Sequence, residues 1–459
     1  YATLSNSIGS YNTSKNTFKA GSGLINGQYT FDVRLSSLKS DGYVDRASSN
    51  LQSFYVSAAS ITANSSLRLN IFSGKEKTYQ SWYGITEEQL TTERTFNSAG
   101  TDKPGAPYDN ETDNYTQTHY QLFYNNKFNS KWSFNGALFA TAGNGYYEQY
   151  KADQKYSSYG LKNPMVNGIA ITKTDLIRQL WLDNLYYGTN FSFQMKDENR
   201  EIILGGGNSQ YDGNHFGKII WAQAGIFKDH RWYDLDAQKS EQHVFGKWME
   251  KLGSFHLFGD LQLRNVNYAI EGFRNNPTLS IDKHWLFLNP KAGLRYTSGE
   301  YSSFISYALA NKEPNRDDFE AGTTDIPKHE TLHDVEAGIE RTGSKLKMAA
   351  TVYHMRYNNQ LVLTGKINDV GAYTRTNIPL SYRTGLEIEA TLSISDRLHI
   401  NNNLALSSNK VKNHREFYDD YDAGDQKVDF FSTSNIAFSP AVIDNATISY
   451  TMLNDLETR

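Results

Sequence analysis

Residues 386–406 read LEIEATLSISDRLHINNNLAL. From Leu386 to Ile394 every second residue is apolar, and the residues between are Glu, Glu, Thr and Ser. Ser395-Asp396 interrupts the pattern, which resumes from Leu398 to Leu406. This alternation predicts two β-strands, each with one apolar and one polar face, joined by a tight turn. Each run is nine residues long. Strands of soluble proteins cluster near five or six residues, whereas a tilted membrane-crossing strand needs about 9 to 11.

The same alternation recurs along the chain, for example over residues 29–35 and 255–264. Charged residues at the polar positions would be costly if they faced lipid, so we predict that they face inward, towards a hydrated interior. These residues are Asp32, Arg34, Asp260, Arg264, Glu336, Glu340, Glu387 and Glu389.

The connections between the runs alternate in length. The short turns are predicted at Asn26-Gly27, Asn129-Ser130, 197–199, Ser298-Gly299, Gly343-Ser344 and Ser395-Asp396. The long loops are predicted at 75–114, 143–183, 210–240, 269–286, 309–330, 358–378 and 408–436. Short turns on one side and long loops on the other are typical of an outer-membrane β-barrel. About eighteen strands are expected, from near Ala2 to near Tyr450.

The composition agrees with this interpretation. Only 38% of the residues are hydrophobic and the mean hydropathy is −0.62, which is low for a soluble protein of 459 residues. Aromatic residues make up 14%, which excludes disorder, and the net charge of −4 offers no basic surface for nucleic acid. No apolar run approaches the roughly 20 residues of a membrane helix, and there is no cysteine. A soluble β-sandwich or propeller is the alternative, but it explains neither the long strands nor the alternating connections.

Three motifs resemble enzyme or ligand sites, and we expect none of them to be catalytic. The segment His329–His333 matches H-E-x-x-H, which binds zinc only on a helix, whereas Pro327 and the alternation after it predict a loop leading into a strand. Gly205–Gly207 lacks the spacing of a phosphate-binding loop. Residues 174–183 have helical spacing with Thr174 as a possible N-cap, so a short loop helix is predicted.

The segment Ser306–Phe319 closely resembles a strand-to-loop passage of TonB-dependent outer-membrane receptors of the Bacteroidetes, and residues 41–47 and 76–82 resemble their early barrel strands. The resemblance covers essentially the whole chain. It implies a barrel of about 22 strands with an N-terminal plug. It further implies uptake of scarce nutrients such as iron complexes, haem or cobalamin, driven by the TonB-ExbB-ExbD complex, with a surface lipoprotein as an optional partner. Residues 1–459 are then expected to form a single outer-membrane barrel domain with about eighteen of the strands, lacking the plug and the last strands.

The predicted function is import of an iron complex, either a siderophore or haem, without catalysis, cofactor or metal site. Cobalamin import, or a passive or adhesive surface protein that binds glycan or host protein, is the alternative. Aromatic residues suit flat ligands, and arginine suits anionic ones. The loop candidates for ligand contact are Tyr79, Trp82, Tyr83, His119, Tyr211, His215, His230, Trp232 and Arg316. On the family's logic, the eight charged inward residues would contact the plug.

Overall fold

The computed structural model describes residues 1–274, 276–321, 326–367, 373–420, 422–453 and 456–458. Nearly all of its regular structure is β-strand. The strands are β1 (Ala2–Gly9), β2 (Thr13–Gly21), β3 (Tyr29–Ser40), β4 (Ser49–Ile61), β5 (Ser65–Tyr79), β6 (Thr112–Lys127), β7 (Trp132–Lys155), β8 (Met165–Val166), β9 (Ile169–Ala170), β10 (Lys173–Lys196), β11 (Arg200–Ala222), β12 (His230–Leu252), β13 (Phe255–Phe273), β14 (Asn276–Ser298), β15 (Tyr301–Lys312), β16 (Glu330–Thr342), β17 (Leu346–Ile367), β18 (Tyr373–Ser395), β19 (Leu398–Asp420), β20 (Asp425–Asn435), β21 (Val442–Leu453) and β22 (Leu456–Thr458). One short helix, α1 (Glu87–Thr92), and two 3-10 turns at Tyr156–Tyr159 and Arg316–Ala321 complete the described elements.

Twenty of the strands form one sheet, and β8 and β9 form a separate hairpin. Neighbours in sequence are neighbours in the sheet and run antiparallel, as in β15 and β16, where Tyr301 lies opposite Arg341 and Lys312 opposite Glu330. The strands β20 and β21 pair with successive parts of the same strand, β19, and therefore occupy one position. If β20 and β21 are counted as one strand and the three-residue β22 is left out, the twenty described strands of the sheet become eighteen, as expected from the sequence.

The chain divides into two compact units. Unit 1 comprises residues 1–192, 207–242 and 267–283, and unit 2 comprises residues 193–206, 243–266 and 284–459. The strands β10 to β14 contribute residues to both units.

The sheet carries its large apolar side chains on an exposed face. In unit 2, Ile305 is 54% and Ile339 48% exposed, whereas Ser302, Glu336 and Glu340, on the other face, are partly covered. Phe31 and Leu35 in unit 1 are likewise exposed. A water-facing surface would not carry so large an apolar area, which instead suits contact with lipid. None of the described helices is long and apolar enough to cross a membrane.

The six predicted turns all lie between paired strands, and they are confirmed. Asn26 and Gly27, for example, both have positive φ, at 48° and 68°, which is the conformation that a two-residue hairpin turn requires. Two further short connections between consecutive strands lie at 62–64 and 253–254.

Most of the long loops predicted from the sequence are wrong in extent. The strands β7 and β10 have 24 residues each, and β11 and β12 have 23, so they run far into the segments predicted as loops. The hairpins satisfy their own backbone hydrogen bonds, and polar residues on both faces hide the alternation. Irregular connections remain at 80–111, 156–172, 223–229 and 313–329, of which 322–325 fall outside the described residues. Residues 368–372, in another predicted loop, also fall outside them.

The short helix predicted over residues 174–183 is also wrong, because this segment belongs to β10. Leu176 and Leu180, which are four residues apart and suggested a helix, are both buried in this extended strand. Pairing of β10 with β7 supplies the backbone hydrogen bonds and overrides the local spacing.

Several strand glycines lie beneath an aromatic ring of the neighbouring strand. A Cβ on Gly338 would lie 2.5 Å from the Phe304 ring, and a Cβ on Gly385 would lie 2.5 Å from the Tyr353 hydroxyl and 2.7 Å from the Leu406 carbonyl oxygen. The glycines therefore allow the rings to lie flat against the polar face of the sheet.

Replacing Gly385 with leucine is expected to destabilise the folded sheet by about 1–3 kcal/mol, because Tyr353 and the strand backbone must move apart. The loss is measured by denaturant titration of the chain in detergent micelles. Gly259→Leu is the matched control, since nothing lies within 4 Å of its Cβ position. Equal stability of the two variants would contradict the steric argument.

Candidate functional site

The connection 80–111 in unit 1 is anchored by Arg46, which precedes β4. Its Nε donates to the Tyr79 hydroxyl at 3.2 Å, and its Nη2 donates to the carbonyl oxygens of Asn97 and Ala99. The Tyr79 hydroxyl in turn donates to the Tyr108 carbonyl oxygen at 2.5 Å. Tyr79 is only 5% exposed, so the last residue of β5 packs beneath the loop and holds it through these hydrogen bonds.

A second anchor of the same loop is Glu148, which is 3% exposed in β7. Its Oε1 accepts hydrogen bonds from the Tyr108 hydroxyl at 2.5 Å and from Asn110 Nδ2 at 2.6 Å, and its Oε2 accepts one from Gln179 Nε2 at 2.7 Å. Three donors thus surround one buried carboxylate, which satisfies it. Burial, and then the hydrogen bond to Glu148, raise the pKa of Tyr108, so this hydroxyl stays protonated as the donor.

The connection 156–172 packs on a small apolar cluster of Tyr159, Leu176 and Ile219, all at most 2% exposed. Trp232 meets the Tyr159 ring edge-on at 5.2 Å, and His230 Nε2 lies 3.0 Å from the Tyr159 carbonyl oxygen. The beginning of β12 therefore fastens this loop to β10 and β11.

Arg178 adds a polar clamp beside this cluster. Its Nη2 donates to Gln149 Oε1 at 2.8 Å and its Nη1 to the Tyr159 hydroxyl at 3.3 Å. Arg46, Glu148, Arg178 and the apolar cluster together hold the loop connections of unit 1, and we call this set the base. Such support favours a preformed loop surface.

We call Trp82, Tyr83, Tyr147 and Arg274 the aromatic patch; Trp82, Tyr83 and Arg274 are exposed and Tyr147 is partly buried. Trp82 is 56% and Tyr83 52% exposed. The Trp82 and Tyr147 rings meet edge-on at 5.8 Å, and Arg274 Nη1 donates to the Tyr147 hydroxyl at 3.2 Å. The patch offers aromatic surface and a guanidinium group, which suits a flat, anionic ligand.

The nine residues predicted to contact ligand from the loops differ in their location and exposure. Trp82 and Tyr83 lie in a loop and are exposed, whereas Tyr79 is buried and holds the loop in place. The loop location is wrong for a further group, which lies in strands because the hairpins extend beyond the predicted ends. These residues are His119 in β6, Tyr211 and His215 in β11, and His230 and Trp232 in β12.

Arg316, the ninth candidate, lies in unit 2, in a 3-10 turn within the segment Ser306–Phe319. Two acidic residues fasten this segment. Glu313 Oε1 lies 3.4 Å from Arg264 Nη2, and the Asp318 carboxylate makes two hydrogen bonds with Arg375, at 2.7 and 2.8 Å. The segment that carries the family resemblance therefore holds a loop in position through buried ion pairs.

The eight charged residues predicted to face inward all lie in strands, at positions that alternate with apolar residues. Several have partners on the sheet. Glu340 binds Arg295 through both carboxylate oxygens, at 2.6 and 3.2 Å, and Asp260 lies 3.4 Å from Lys247 Nζ. Glu387 and Glu389 are exposed. Arg264 pairs with Glu313, as described above, and Asp32 accepts a hydrogen bond from the Tyr1 hydroxyl at 3.2 Å. Arg34 and Glu336 complete the set.

The H-E-x-x-H segment forms the beginning of β16, as predicted. Glu330 Oε1 accepts a hydrogen bond from the Leu361 amide at 2.5 Å, and His333 Nδ1 lies 2.9 Å from the Tyr307 hydroxyl. In an extended strand, Glu330 points to the face opposite His329 and His333, so the three side chains cannot act as in a zincin. Within the described parts of the chain, no group of three or more potential metal ligands is found.

Four residues of the site were not among the sequence-based candidates: Arg46, Glu148, Arg178 and Arg274. Arg274 lies within a predicted loop, and its charge could have marked it as a ligand contact. The other three act through partners distant in sequence, such as Asn97 for Arg46, and no local pattern signals them.

The antiparallel strand order, the alternation of turns and loops and the exposed apolar face define an outer-membrane β-barrel protein. The family model described as TonB dependent receptor-like, beta-barrel, matches residues 62–451, and the chain belongs to this family. Its members are transport receptors of the Gram-negative outer membrane, where this barrel is located. No curated protein matches the chain by sequence.

Solved structures share the fold at low identity. The closed form of the ferric-catecholate import receptor Fiu from E. coli K12 has a TM-score of 0.66 and 13% identity, covering 99% of this chain and 70% of Fiu. The siderophore receptor PiuA from Acinetobacter baumannii has a TM-score of 0.66 and 11% identity, covering 99% and 70%. The copper transporter OprC has a TM-score of 0.66 and 10% identity, covering 99% and 72%. This chain therefore spans about 70% of the length of these receptors.

Proposed function

We propose that this chain is the barrel of a receptor that imports an iron complex, with a siderophore as the favoured cargo. The observation that carries the proposal is the aromatic patch, an exposed Trp and Tyr pair beside Tyr147 and Arg274. Flat ferric chelates that carry negative charge suit such a surface, because rings stack on aromatic side chains and a guanidinium binds anionic oxygens.

The names of the similar structures support an iron complex as the transported ligand, but they also include a different metal. Fiu is a ferric-catecholate import receptor and PiuA a siderophore receptor, whereas OprC is a copper transporter. The Bacteroidetes type is likewise part of our proposal, based on the Ser306–Phe319 segment.

Haem is less well supported than a siderophore. A haem receptor of this kind would offer an exposed His or Tyr to the iron. His230 instead has Nε2 3.0 Å from the Tyr159 carbonyl oxygen, and His119 and His215 lie within strands. In the aromatic patch the Tyr147 hydroxyl already accepts a hydrogen bond from Arg274, which leaves exposed Tyr83 as the patch's one candidate axial ligand.

Energy for import is proposed to come from TonB-ExbB-ExbD, acting through a plug of the kind that the resemblance implies. The charged polar-face residues would contact that plug. Arg34, Glu387 and Glu389 are exposed and therefore available for such contacts, whereas Glu340 already binds Arg295. A surface lipoprotein remains an optional partner, and cobalamin import or passive adhesion to glycan or host protein is the alternative function.

Trp82→Ala and Arg274→Gln are each expected to weaken binding of the cargo by at least about tenfold, because an exposed aromatic or arginine anchor typically contributes 1–3 kcal/mol. A ferric catecholate, ferric citrate, haem and cyanocobalamin are titrated into the chain in detergent micelles, with tryptophan fluorescence as the readout for the arginine variant and calorimetry for both.

Trp132→Ala and Arg397→Gln are the matched controls, since both residues lie beside turns between strands. Failure of all four compounds to bind, or unchanged affinity in the patch variants, would contradict the proposal. Binding of cyanocobalamin alone, or of glycans only, would support the alternatives instead.

A further inference from the structure

The face of β15 to β19 that carries exposed Ile305 and Ile339, which we call the outer face, changes from apolar to basic along the strands. The strand registers place Ile305, Ala337, Val352, Leu386 and Leu406 in one apolar row across this face. Residues two apart in a strand point to the same face, so three further rows follow towards the long connections. These rows begin in β15 at Tyr307, Leu309 and Asn311, and they end in β19 at Ser408, Lys410 and Lys412.

The three further rows carry positive charge and no carboxylate. Every residue in them is described by the structure, and none of them is Asp or Glu. They contain Arg356, Lys410 and Lys412, which we call the outer cationic cluster. Asp334 and Glu336, in the same part of β16, alternate with these rows and lie on the opposite face. The sheet therefore sorts its charges, with the cations alone on the outer face.

The outer cationic cluster surrounds a single tyrosine ring. Arg356 lies opposite Tyr382, and Tyr382 lies opposite Lys410, so the two cations flank the tyrosine on neighbouring strands. Adjacent strands are about 4.8 Å apart, which places the backbones of Arg356 and Lys410 about 10 Å from each other. Lys412 Nζ lies 5.8 Å from the centre of the Tyr382 ring, and the His354 ring lies 6.2 Å from it. Three cations thus converge on an area the size of one headgroup.

The positive charge of the cluster is not neutralised by its neighbours. Lys410 Nζ donates to Asn435 Oδ1 at 2.6 Å, and Lys412 Nζ donates to the Thr433 hydroxyl at 2.9 Å. Both acceptors are neutral, so they orient the lysines without cancelling their charge. Arg356 is exposed and lies between His333 and Tyr382, neither of which carries negative charge. The cluster is therefore available to an anion from outside the chain.

The position of the cluster along the strands corresponds to a membrane interface. Arg356 lies ten residues after Leu346, where β17 begins beyond a short turn. A tilted strand needs about 9 to 11 residues to cross the membrane. Tyr307 and Tyr382, just beyond the apolar row, are the residue type that marks the interface. The cluster therefore lies where lipid headgroups lie, on the side of the long connections, which faces the outside of the cell in such barrels.

We propose that the outer cationic cluster binds the phosphate of a membrane lipid in the outward leaflet. Arg356 binds two phosphate oxygens through its planar guanidinium, and Lys410 and Lys412 neutralise the remaining charge. The acyl chains of the lipid lie along Val352 and Leu406, which are exposed in the apolar row. The site lies on the lipid-facing side of the sheet, so the proposal holds whichever cargo the receptor imports.

The test compares two lipids with the same acyl chains, dioleoylphosphatidic acid and dioleoylphosphatidylcholine. Each is titrated into the full chain in maltoside micelles, and native mass spectrometry of the bound lipid gives an apparent Kd. Wild type is expected to bind the phosphatidic acid at least about tenfold more tightly, because its phosphate carries net negative charge. The preference is expected to disappear at an ionic strength of about 1 M, where the screening length is about 3 Å. Equal binding of the two lipids at low salt overturns the proposal.

The decisive variant replaces Arg356, Lys410 and Lys412 together with glutamine, and it is expected to lose the preference for phosphatidic acid. Arg356→Gln alone, which removes an exposed side chain, is expected to weaken phosphatidic acid binding about fivefold. The matched control replaces Lys15, Lys19 and Arg34 with glutamine. These side chains are also exposed but lie on the polar face, so the control removes the same charge and is expected to keep the preference. Heat-modifiable gel migration confirms that each variant is folded.

An unchanged preference in the folded triple variant, or in Arg356→Gln should the triple variant not fold, would place the lipid elsewhere. An equal loss in the control variant would reduce the effect to the net charge of the chain. Inorganic phosphate at the concentration of the lipid is expected not to displace the phosphatidic acid. Displacement would show a site for free phosphate instead of a lipid headgroup, and each of these three results overturns the proposal.

Discussion

Replacing Glu148 with alanine is expected to release the connection 80–111 from the rest of unit 1. The change leaves the Tyr108 hydroxyl, Asn110 Nδ2 and Gln179 Nε2 without their shared acceptor. Each buried donor that loses its acceptor costs about 1–3 kcal/mol. Allowing for partial solvation on opening, we expect a loss of about 3 kcal/mol, which corresponds to roughly 100-fold lower protection from amide hydrogen exchange.

Hydrogen exchange followed by mass spectrometry measures this effect in peptides from residues 80–111. Glu148→Gln is expected to fall between wild type and Glu148→Ala, since its amide nitrogen cannot accept from a donor. Glu198→Ala, at an exposed position of a turn, is the control. Unchanged exchange in Glu148→Ala would show that the loop does not depend on this carboxylate. The claim that Glu148 holds the loop that carries Trp82 and Tyr83 would then be wrong.

Replacing Asp318 with alanine is expected to free the segment 313–321 in unit 2. Asp318 is 2% exposed, and its removal leaves the Arg375 guanidinium without a carboxylate. Breaking a buried pair costs about 3–5 kcal/mol, and the low end applies because the Arg375 side chain is 31% exposed. Trypsin cleavage after Arg316 is therefore expected to accelerate by roughly 100-fold.

Asp317→Ala is the reference variant: its carboxylate is exposed, and because it directly follows Arg316, its removal measures the acceleration that comes from the local sequence alone. Arg375→Met is expected to cause a similar loss, and the double variant should be less destabilised than the sum of the two single changes. Additive effects would mean that the two side chains stabilise the loop independently, contrary to the structure.

The fold class and the turns could be predicted because they depend on local patterns. Alternation from Leu386 to Leu406 already implies two strands and a turn, and the register confirms it, with Leu392 opposite Ile400. The alternation is strong there because one face of each strand meets apolar surroundings and the other does not.

The candidate site could be predicted only in part. Exposed Trp82 and Tyr83 were recognisable as aromatic residues in a polar segment. The burial of Tyr79 was not, since it depends on Arg46, which lies 33 residues earlier in the sequence. His119 looked like a loop ligand, yet the register places it in a row with Phe72 and Arg34 on the polar face of the sheet.

The sequence alone determined that this protein is a barrel of long antiparallel strands with apolar outer faces, because a lipid-facing surface imposes a period of two on every strand that crosses the membrane. Only the tertiary structure decided how far the strands extend and which loop residues are exposed. Beyond the membrane both faces of a hairpin meet water or neighbouring protein, so the period is lost. There, contacts between distant residues, such as Glu148 with Tyr108 and Asp318 with Arg375, determine the structure.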